Sequence, residues 1–246
     1  MLTSSGVYVI MKIVIPSHRR IFLLKKTIDM LKCYGIDADD IWVFSSPESF
    51  KEYQNVHHQI VYSKNTILDT RNHIIEYFDE GEYIVEIDDD LEQIVDFENE
   101  NSVLDLESLF LESFSLSNDG LWGFASTDNG YFSDKKDKYG CYSIVNSCCG
   151  YKNDKSIRLT LTEKEDFERV CLFYEKGKTI LKRTRYGIKS KYWKNKGGIQ
   201  DRYDFEKRKL VQEECCDKLV ERWGHLGYKR VRKNGIADFR FKNNLN

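Results

Sequence analysis

The chain has 246 residues, 41% of them hydrophobic and 13% aromatic, which is enough apolar material for one large globular domain. No stretch of about 18 apolar residues occurs, and the apolar start at 6–16 lacks a basic leader region and a small-residue cleavage site, so we expect neither a membrane span nor a signal peptide. The seven cysteines form no CxxC pair, so a zinc ribbon or thioredoxin motif is not supported and reduced thiols in the cytoplasm are expected.

Charge is distributed unevenly along the chain. Residues 1–175 carry 17 Lys and Arg against 32 Asp and Glu, a net of −15, whereas residues 176–246 carry 21 against 8, a net of +13, and the two sum to −2. Residues 176–200 contain nine cations and no carboxylate. A basic C-terminal third on an acidic body indicates a face that meets a polyanion, although a solvated charged surface is the alternative.

Apolar strands and amphipathic helices alternate over the first ninety residues. Strands are predicted at 7–16, 41–44, 60–62 and 82–87, and helices at 22–34, 49–54 and 67–78. This alternation is typical of an α/β, Rossmann-like fold with a mainly parallel sheet flanked by helices. In such folds ligands bind beyond the carboxyl ends of the strands.

The remainder of the chain is predicted to mix strands with longer helices. Helices are predicted at 102–114, from about 162 to 176 and at 201–224, and strands at 122–126, 141–146, 156–161 and 178–186. Thr162 is the predicted N-cap of the second of these helices, with Glu165 at the capping-box position. The C-terminal part is therefore expected to be a basic, helical extension.

Three consecutive carboxylates, Asp88, Asp89 and Asp90, follow the apolar strand at 82–87. Adjacent carboxylates disfavour one another's ionised forms, so a cation at this strand end would relieve their repulsion. Mg²⁺ and Mn²⁺ are held by one or two carboxylates together with substrate phosphates. The run therefore predicts a metal site for a nucleotide diphosphate compound, with Asp90 as the best ligand and Asp88 as the next. A solvated acidic turn is the alternative.

Polar residues also follow the first predicted strand. Pro16, Ser17, His18 and Arg19 stand where such folds hold a nucleotide, and Arg19 suits bidentate pairing with a phosphate. Arg71 lies one helix before the Asp run and is predicted to reach the nucleotide or an Asp of that run. For Arg19 the alternative is a solvated side chain on the first turn of a helix.

The order of these segments resembles the GT-A glycosyltransferases over roughly residues 13–176. The chain carries Ile-Val-Ile-Pro-Ser-His-Arg at 13–19, Arg-Asn at 71–72, Glu-Ile-Asp-Asp-Asp at 86–90 and Glu-Asp at 165–166. The resemblance implies a nucleotide-sugar donor bound with Mn²⁺ or Mg²⁺, in which Asp88 and Asp89 also contact the donor. It further implies that His225 completes the metal site, whereas the local sequence Trp-Gly-His at 223–225 favours the alternative of a surface His.

The same resemblance implies Asp166 as the base that deprotonates the acceptor hydroxyl. A carboxylate suits that task when desolvation or a like charge raises its pKa toward the working pH, and Glu165 supplies the like charge. The alternative is that the acidic residues at 163–168 simply favour a helix N-terminus.

A narrower resemblance is to the viral and phage glycosyltransferases of hydroxylated DNA bases, which are related to the base J glucosyltransferases. It rests on the Ile-Pro-Ser-His-Arg start, the Asp run and a late Gly-Gly at 197–198. It implies a UDP-sugar donor, a hydroxymethylated pyrimidine acceptor and a cytoplasmic location, in the host for a virus or phage. The absence of a membrane anchor puts a glycoprotein or cell-wall acceptor in doubt.

On this interpretation residues 1–175 form the catalytic core and residues 176–246 the basic, acceptor-facing part of the same domain. Aromatic and basic side chains at 176–200 suit phosphates and extruded bases, so DNA is expected to bind there. The predicted acceptor contacts are Lys189, Lys191, Trp193, Lys194, Gly197 and Gly198.

Three alternatives remain open. The same donor chemistry would serve a glycan, lipid or protein acceptor. The Asp run would also serve a nucleotidyltransferase or phosphoryl-transfer enzyme. A nucleic-acid-binding protein without activity would use the Asp run only structurally. No G-x-x-x-x-G-K-[ST] segment occurs, so a P-loop NTPase is not supported.

Overall fold

The computed structural model describes residues 10–99, 101–103, 105–190 and 204–242. Its helices are α1 (Ile21–Cys33), α2 (Phe50–Tyr53), α3 (Ile67–Tyr77), α4 (Leu106–Leu116), α5 (Glu165–Glu175) and α6 (Phe205–Trp223). Its strands are β1 (Met11–Ser17), β2 (Ile41–Ser45), β3 (Ile60–Tyr62), β4 (Tyr83–Ile87), β5 (Leu91–Asp96), β6 (Asn101–Ser102), β7 (Leu121–Ala125), β8 (Asp137–Tyr139), β9 (Cys148–Lys152), β10 (Ile180–Ser190), β11 (Gly227–Val231) and β12 (Ala237–Phe241).

Ten of these strands form one sheet in the order β3-β2-β1-β4-β9-β7-β10-β5-β6, with β8 paired to β10. β1 to β4 run parallel to one another, and β7, β10 and β6 point the same way, whereas β5, β8 and β9 are reversed. The predicted α/β fold with a mainly parallel sheet is therefore confirmed. Because β10 lies between β7 and β5, residues on both sides of position 175 share this sheet.

Helices cover both faces of the sheet because its strands are apolar on both sides. Along β1, Ile13 and Ile15 pack in one hydrophobic cluster with α1 and α4, whereas Val14 packs in the other with α3, α5 and α6. The carboxyl ends of β1 to β4 lie between these two layers of helices. Among the residues that the structure describes, no helix is long and apolar enough to cross a membrane.

Two predicted strands, 141–146 and 156–161, are loops in the structure. Leu159 and Leu161 alternate with polar residues and are buried, which mimics a strand. Their backbone amides, however, bond to side chains: Leu159 N donates to Asn72 Oδ1 at 3.0 Å and Leu161 N to Glu168 Oε2 at 2.9 Å. The strand that pairs with β7 is β9, which begins at Cys148.

The start of α5 and the end of the chain also differ from prediction. Thr162 is not the N-cap of α5, because the helix begins at Glu165 and Lys164 occupies the N-cap position with a left-handed φ of 64°. After α6 the chain forms a two-stranded antiparallel hairpin, β11–β12, that the sequence analysis missed. At 180–190 and 204–242, the described residues of the C-terminal part form a sheet strand, a helix and a hairpin.

Candidate active site

A cavity of about 710 Å³ opens at the sheet edge where β1 to β4 end. One side is lined by Ser17 at the end of β1, Ser46 after β2, Lys64 after β3 and Asp88 after β4. The lining also includes residues of the loop 143–147, the first turn of α5, α6 and the turn between β11 and β12. The parallel strands thus place the predicted nucleotide and metal residues at one edge.

All three carboxylates of the Asp run line the cavity, and Asp88 and Asp90 are more exposed than Asp89. Asp88 has a side chain 33% exposed and lies 3.5 Å from Arg71 Nη2. Asp90 accepts from Arg20 Nη1 at 3.2 Å and from Ser190 Oγ at 3.0 Å, so the end of β10 is tied to the Asp run.

Asp89 is only 4% exposed and bonds to the protein itself. Ser17 Oγ donates to Asp89 Oδ2 at 2.6 Å, and Arg20 Nη1 lies 3.0 Å from Asp89 Oδ1. Tyr53 OH lies 2.9 Å from Ser17 Oγ, which continues the chain of polar contacts toward α2. Asp89 therefore joins the end of β4 to the end of β1.

Burial raises the pKa of both Asp88 and Asp89. The pKa of Asp88 rises to about 7, because burial and the carboxylates of Asp90 and Asp89 outweigh the opposing effect of Arg71. The pKa of Asp89 rises to about 6, because burial outweighs Arg20 and the Ser17 hydroxyl. A cation beside these groups would favour their ionised forms.

The donor set fits a divalent cation that is shared with a substrate. In the described part of the chain, no group of three or more His, Cys, Asp and Glu side chains could hold a metal by itself. Asp88 and Asp90 supply two carboxylates, which suits Mg²⁺ or Mn²⁺ when diphosphate oxygens complete the shell. His225 is exposed in the turn after α6 and is not among the residues that line the cavity.

Asp166 faces the same cavity from the first turn of α5. Its pKa is raised to about 7, first by burial and second by the neighbouring carboxylate of Glu165, against the opposing effect of Lys164. The backbone N–H of Phe167 donates to Asp166 Oδ1 at 3.0 Å. A carboxylate with a pKa near neutrality suits proton abstraction.

Arg71 links the Asp run to the start of α5. The side chain is 3% exposed, and its guanidinium contacts Asp88 at 3.5 Å, Glu165 at 3.5 Å and Glu86. Burial alone would lower the pKa of Arg71, but Glu86 and Asp88 raise it. Arg71 lines the cavity and has three carboxylates of the protein around it, one of which is Asp88 of the Asp run.

A second buried arginine stands behind Arg71. Arg169 of α5 lies 2.7 Å from Glu86 Oε1 and 4.9 Å above the ring of Tyr151, whose hydroxyl donates to Glu86 at 2.5 Å. Burial opposes ionisation of Glu86, but Arg169 and Arg71 outweigh it and lower its pKa. No role was predicted for Glu86 or Arg169, although a glutamate inside an apolar strand is a usable signal of a buried ion pair.

Pro16, Ser17, His18 and Arg19 all line the cavity. His18 Nδ1 lies 2.7 Å from Ser46 Oγ, and the exposed Arg19 forms an ion pair with Glu48. The predicted nucleotide segment is therefore brought to the cavity together with residues that follow β2.

Of the predicted acceptor contacts, Lys189 is exposed near the end of β10, one residue before the Ser190 that bonds Asp90. The others lie outside the described residues: Lys191, Trp193, Lys194, Gly197 and Gly198.

The C-terminal wall of the cavity was not predicted. Glu163 accepts from Arg208 Nε at 2.8 Å and from Gln212 Nε2 at 3.1 Å. Gln212 is 3% exposed and lines the cavity, and its Oε1 has no hydrogen-bond partner among the described residues. Lys164 Nζ reaches Asp238 of the hairpin at 3.1 Å. A ligand group that donates a hydrogen bond to Gln212 Oε1 would satisfy this buried oxygen.

No protein-family model matches the chain, and no curated protein matches its sequence. Solved structures do resemble it. TarS 1–349 of S. aureus in complex with UDP-GlcNAc matches with a TM-score of 0.54 and 12% identity, over 85% of this chain and 66% of TarS. The mannosyltransferase PcManGT of Pyrobaculum calidifontis, in complex with GDP-Man and Mn²⁺, matches with a TM-score of 0.51 and 10% identity, over 72% of this chain and 56% of PcManGT.

These similarities define the class of fold. The chain has the fold of GT-A-type glycosyltransferases, which confirms the predicted fold class. The chain spans about two thirds or less of the length of these two proteins.

Proposed function

We propose that the protein is a metal-dependent glycosyltransferase that uses a nucleotide-sugar donor. The observation that carries the proposal is the shared cavity, which the strand-end carboxylates Asp88 and Asp90 line together with Asp166 on α5. Arg71 contacts both Asp88 and Glu165, so the two sides are joined by one buried guanidinium.

Each side of the cavity suits one part of sugar transfer. Asp88 and Asp90 would hold Mg²⁺ or Mn²⁺, which supplies Lewis-acid stabilisation of the charge that develops on the nucleoside diphosphate. Ser17, His18 and Arg19 border the same space, where they would bind the donor. Asp166 would take the proton of the acceptor hydroxyl as the hydroxyl oxygen attacks the sugar carbon, which is released from the nucleoside diphosphate.

The donor proposed is a UDP-sugar, with a hexose as the transferred group. The two similar structures hold UDP-GlcNAc and GDP-Man with Mn²⁺, which supports a nucleotide-sugar of one of these kinds. The alternative reaction is nucleotidyl transfer, which would use Asp88 and Asp90 but would not need Asp166. Substitution of Asp166 therefore distinguishes nucleotidyl transfer from glycosyl transfer.

The donor is tested by thermal denaturation with UDP- and GDP-sugars, each with and without Mn²⁺. A ligand that binds only the folded state raises the apparent Tm, so a rise that needs both sugar nucleotide and metal is expected. The variant Asp90→Ala should lose this rise, whereas Asp29→Asn, an exposed carboxylate on α1, should keep it. A metal-dependent rise that survives in Asp90→Ala would contradict the metal site.

The role of Asp166 is tested by turnover. Asp166→Asn should lower kcat by roughly 10²- to 10⁴-fold while the donor-induced Tm rise is retained, because the base acts on the acceptor. If donor binding were lost together with turnover, Asp166 would be a donor contact and not the base. If turnover were normal, Asp166 would only stabilise the start of α5.

The acceptor proposed is the hydroxyl of a hydroxymethylated pyrimidine in DNA. Support comes from the net charge of +13 in residues 176–246 against −15 in residues 1–175. Several cations of this region pair with the acidic body, such as Arg183 with Glu112 at 2.7 Å and Arg185 with Asp96 at 2.7 Å. The contacts proposed for DNA at 176–200 therefore rest mainly on Lys189 and the residues after it.

Transfer of labelled sugar to hydroxymethylated DNA, unmodified DNA and a neutral glycan tests this acceptor. Label on the hydroxymethylated strand alone is the expected result. Label on the glycan alone would replace DNA by a glycan acceptor while leaving the glycosyltransferase proposal intact.

A further inference from the structure

The hairpin β11–β12 turns one of its two faces into the protein. Phe239 and Phe241 pack against Phe167 of α5 at ring-centroid distances of 5.9 and 5.8 Å. On the same face, Lys229 Nζ donates to Asp217 Oδ1 of α6 at 2.6 Å. Because side chains alternate along a strand, Tyr228, Arg230 and Arg240 lie on the other face, where they are exposed. Asp238 belongs to that face by register but is only 6% exposed, because it contacts Lys164.

The opposite face of the hairpin carries an aromatic ring among arginines. Tyr228 pairs across the strands with Arg240, and Arg230 pairs with Asp238. Tyr228 is 45% exposed, and the side chains of Arg230 and Arg232 are each 48% exposed. We call Tyr228, Arg230, Arg232, Asp238 and Arg240 the outer hairpin face.

Positive charge on this face exceeds the negative charge that is available to it. Asp238 is the one carboxylate in the outer hairpin face as defined, and three cations share it: Lys164 at 3.1 Å, Arg232 at 2.9 Å and Arg230 at 3.9 Å. Arg240 is exposed beside them. One carboxylate balances one charge, so the face retains a positive excess that an anion would complement.

The outer hairpin face runs into the cavity. Arg232 and Ile236, at the turn of the hairpin, line the cavity, and so does Lys164, which precedes the Glu165-Asp166 pair. Lys164 has a left-handed φ of 64°, a conformation that non-glycine residues rarely adopt and that recurs at functional sites. A chain laid along the face would therefore reach the cavity next to Asp166.

We infer that the outer hairpin face binds the sugar-phosphate backbone of a single-stranded or locally unpaired DNA acceptor and directs an unstacked base into the cavity. The inference rests on the proposed function and assigns the acceptor to the hairpin rather than to residues 176–200 alone. Arg230, Arg232 and Arg240 contact phosphates, and Tyr228 stacks on a base.

A nucleic-acid strand fits this face better than other anions do. Proteins that bind single strands combine a cationic track with aromatic side chains on which bases stack, and the face supplies both. A base inside a duplex cannot reach a carboxylate in a cavity, so an acceptor base must leave its stack. A phosphate-linked polymer without bases would use the arginines but would leave Tyr228 without a role.

Binding of a labelled single-stranded oligonucleotide, titrated at several salt concentrations, tests the inference. The triple variant Arg230→Gln, Arg232→Gln, Arg240→Gln should bind more weakly, and its slope of log affinity against log salt should be smaller by about one for each lost phosphate contact. Tyr228→Ala should lower affinity roughly tenfold without changing the salt slope.

A matched control removes the same charge from the other side of the sheet. Lys25→Gln, Lys26→Gln, Lys32→Gln changes three exposed cations of α1, a helix that packs on the face opposite to the hairpin. This variant should keep the wild-type affinity and salt slope. The Tm of every variant, measured alongside, shows that the hairpin remains folded.

Several results would overturn the inference. Equal weakening in the hairpin and α1 variants would indicate a non-specific charge effect. Unchanged binding in the hairpin variant would return the DNA contact to residues 176–200. If a base-free phosphodiester polymer competed with the oligonucleotide as well as DNA does, and Tyr228→Ala had no effect, the ligand of this face would be a phosphate polymer and not DNA. In each case the metal-dependent Tm rise with UDP-sugar shows separately whether the glycosyltransferase proposal holds.

Discussion

Asp88 and Asp89 are neighbours in the sequence but have opposite surroundings. Asp88 lies on the cavity with a side chain 33% exposed, whereas Asp89 is 4% exposed and bonds to Ser17 and Arg20. After β4 ends at Ile87 the chain turns, with Leu91 N donating to Asp88 O at 3.2 Å, so the two side chains meet different neighbours: Asp88 is the more exposed to the cavity, and Asp89 fastens two strand ends together. The two should therefore respond differently to substitution.

Replacement of Asp88 by Asn should separate stability from donor binding. Burial and two neighbouring carboxylates raise the pKa of Asp88 to about 7, so its ionised form is disfavoured in the folded protein. In metal-free buffer above pH 7 we expect the Tm of Asp88→Asn to equal or exceed that of the wild type. The Tm rise produced by UDP-sugar and Mn²⁺ should disappear. A lower metal-free Tm would show that Asp88 has a structural role instead.

Replacement of Asp89 by Ala should chiefly cost stability. It removes the acceptor of the Ser17 hydroxyl and one partner of Arg20, both in a poorly exposed setting. Because burial raises the pKa of Asp89 to about 6, its contribution is largest below that pH. At pH 5 we expect a loss of about 2 kcal/mol in the free energy of unfolding, in the range for hydrogen bonds to charged groups. Urea denaturation of Asp89→Ala and Asp89→Asn measures this, since Asn retains an acceptor for Ser17. Equal stability of the Ala variant and the wild type would contradict the fastening role.

The pKa of Asp166 predicts how rate and stability change with pH. The folded-state pKa of about 7 lies above the ordinary 3.8, so the folded protein binds this proton more tightly than the unfolded chain does. The contribution of Asp166 to stability therefore falls as the pH rises from about 4 to 7. A general base must be ionised, so kcat/KM should rise over the upper part of the same window and level off above pH 7.

Asp166→Asn tests both halves of this statement. It should reduce the fall in stability, to which Asp88 and Asp89 also contribute, so its Tm should exceed the wild-type Tm above pH 7. It should also flatten the rise in kcat/KM. Glu175→Gln, a carboxylate of the same helix that pairs with Arg222 at 2.9 Å, is the control and should preserve the wild-type pH profile. A wild-type profile in Asp166→Asn would assign the ionisation to another group.

The first half of the fold could be predicted from sequence because local signals and tertiary structure agree there. The predicted and observed bounds of β3 are the same, and the predicted ends of α1, α3 and β4 lie within about one residue of the observed ends. The strand-end positions of Ser17 and Asp88 then followed from the parallel arrangement. No tertiary information was needed for those two placements.

The remaining features depend on partners that are distant in sequence. The loop at 156–161 has strand-like alternation, but Glu168 satisfies the amides of Thr160 and Leu161 in place of a neighbouring strand. The hairpin was missed because β11 is short and charged, and its stability comes from the packing of Phe239 and Phe241 on α5. Glu86 stood in an apolar run, but its two arginines come from α3 and α5.

Glu86 provides the last prediction, because it carries the buried charges behind the cavity. It is fully buried between Arg71 and Arg169. Without its charge, Arg169 would lose the carboxylate 2.7 Å away, and Arg71 would keep only Asp88 and Glu165, each at 3.5 Å. Breaking a buried ion pair by removing one partner costs roughly 3–5 kcal/mol. We therefore expect Glu86→Gln to lower the free energy of unfolding by about that amount, measured by urea denaturation. Arg71 would also be held less firmly beside Asp88 and Glu165, so the Tm rise produced by the nucleotide-sugar should be smaller in the protein that remains folded.

The control is Glu76→Gln on α3, whose exposed pair with Arg158 at 2.6 Å should contribute at most about 1 kcal/mol. Equal stabilities for the Glu86 and Glu76 variants would show that the two buried arginines find other partners and that Glu86 does not hold Arg71 in place.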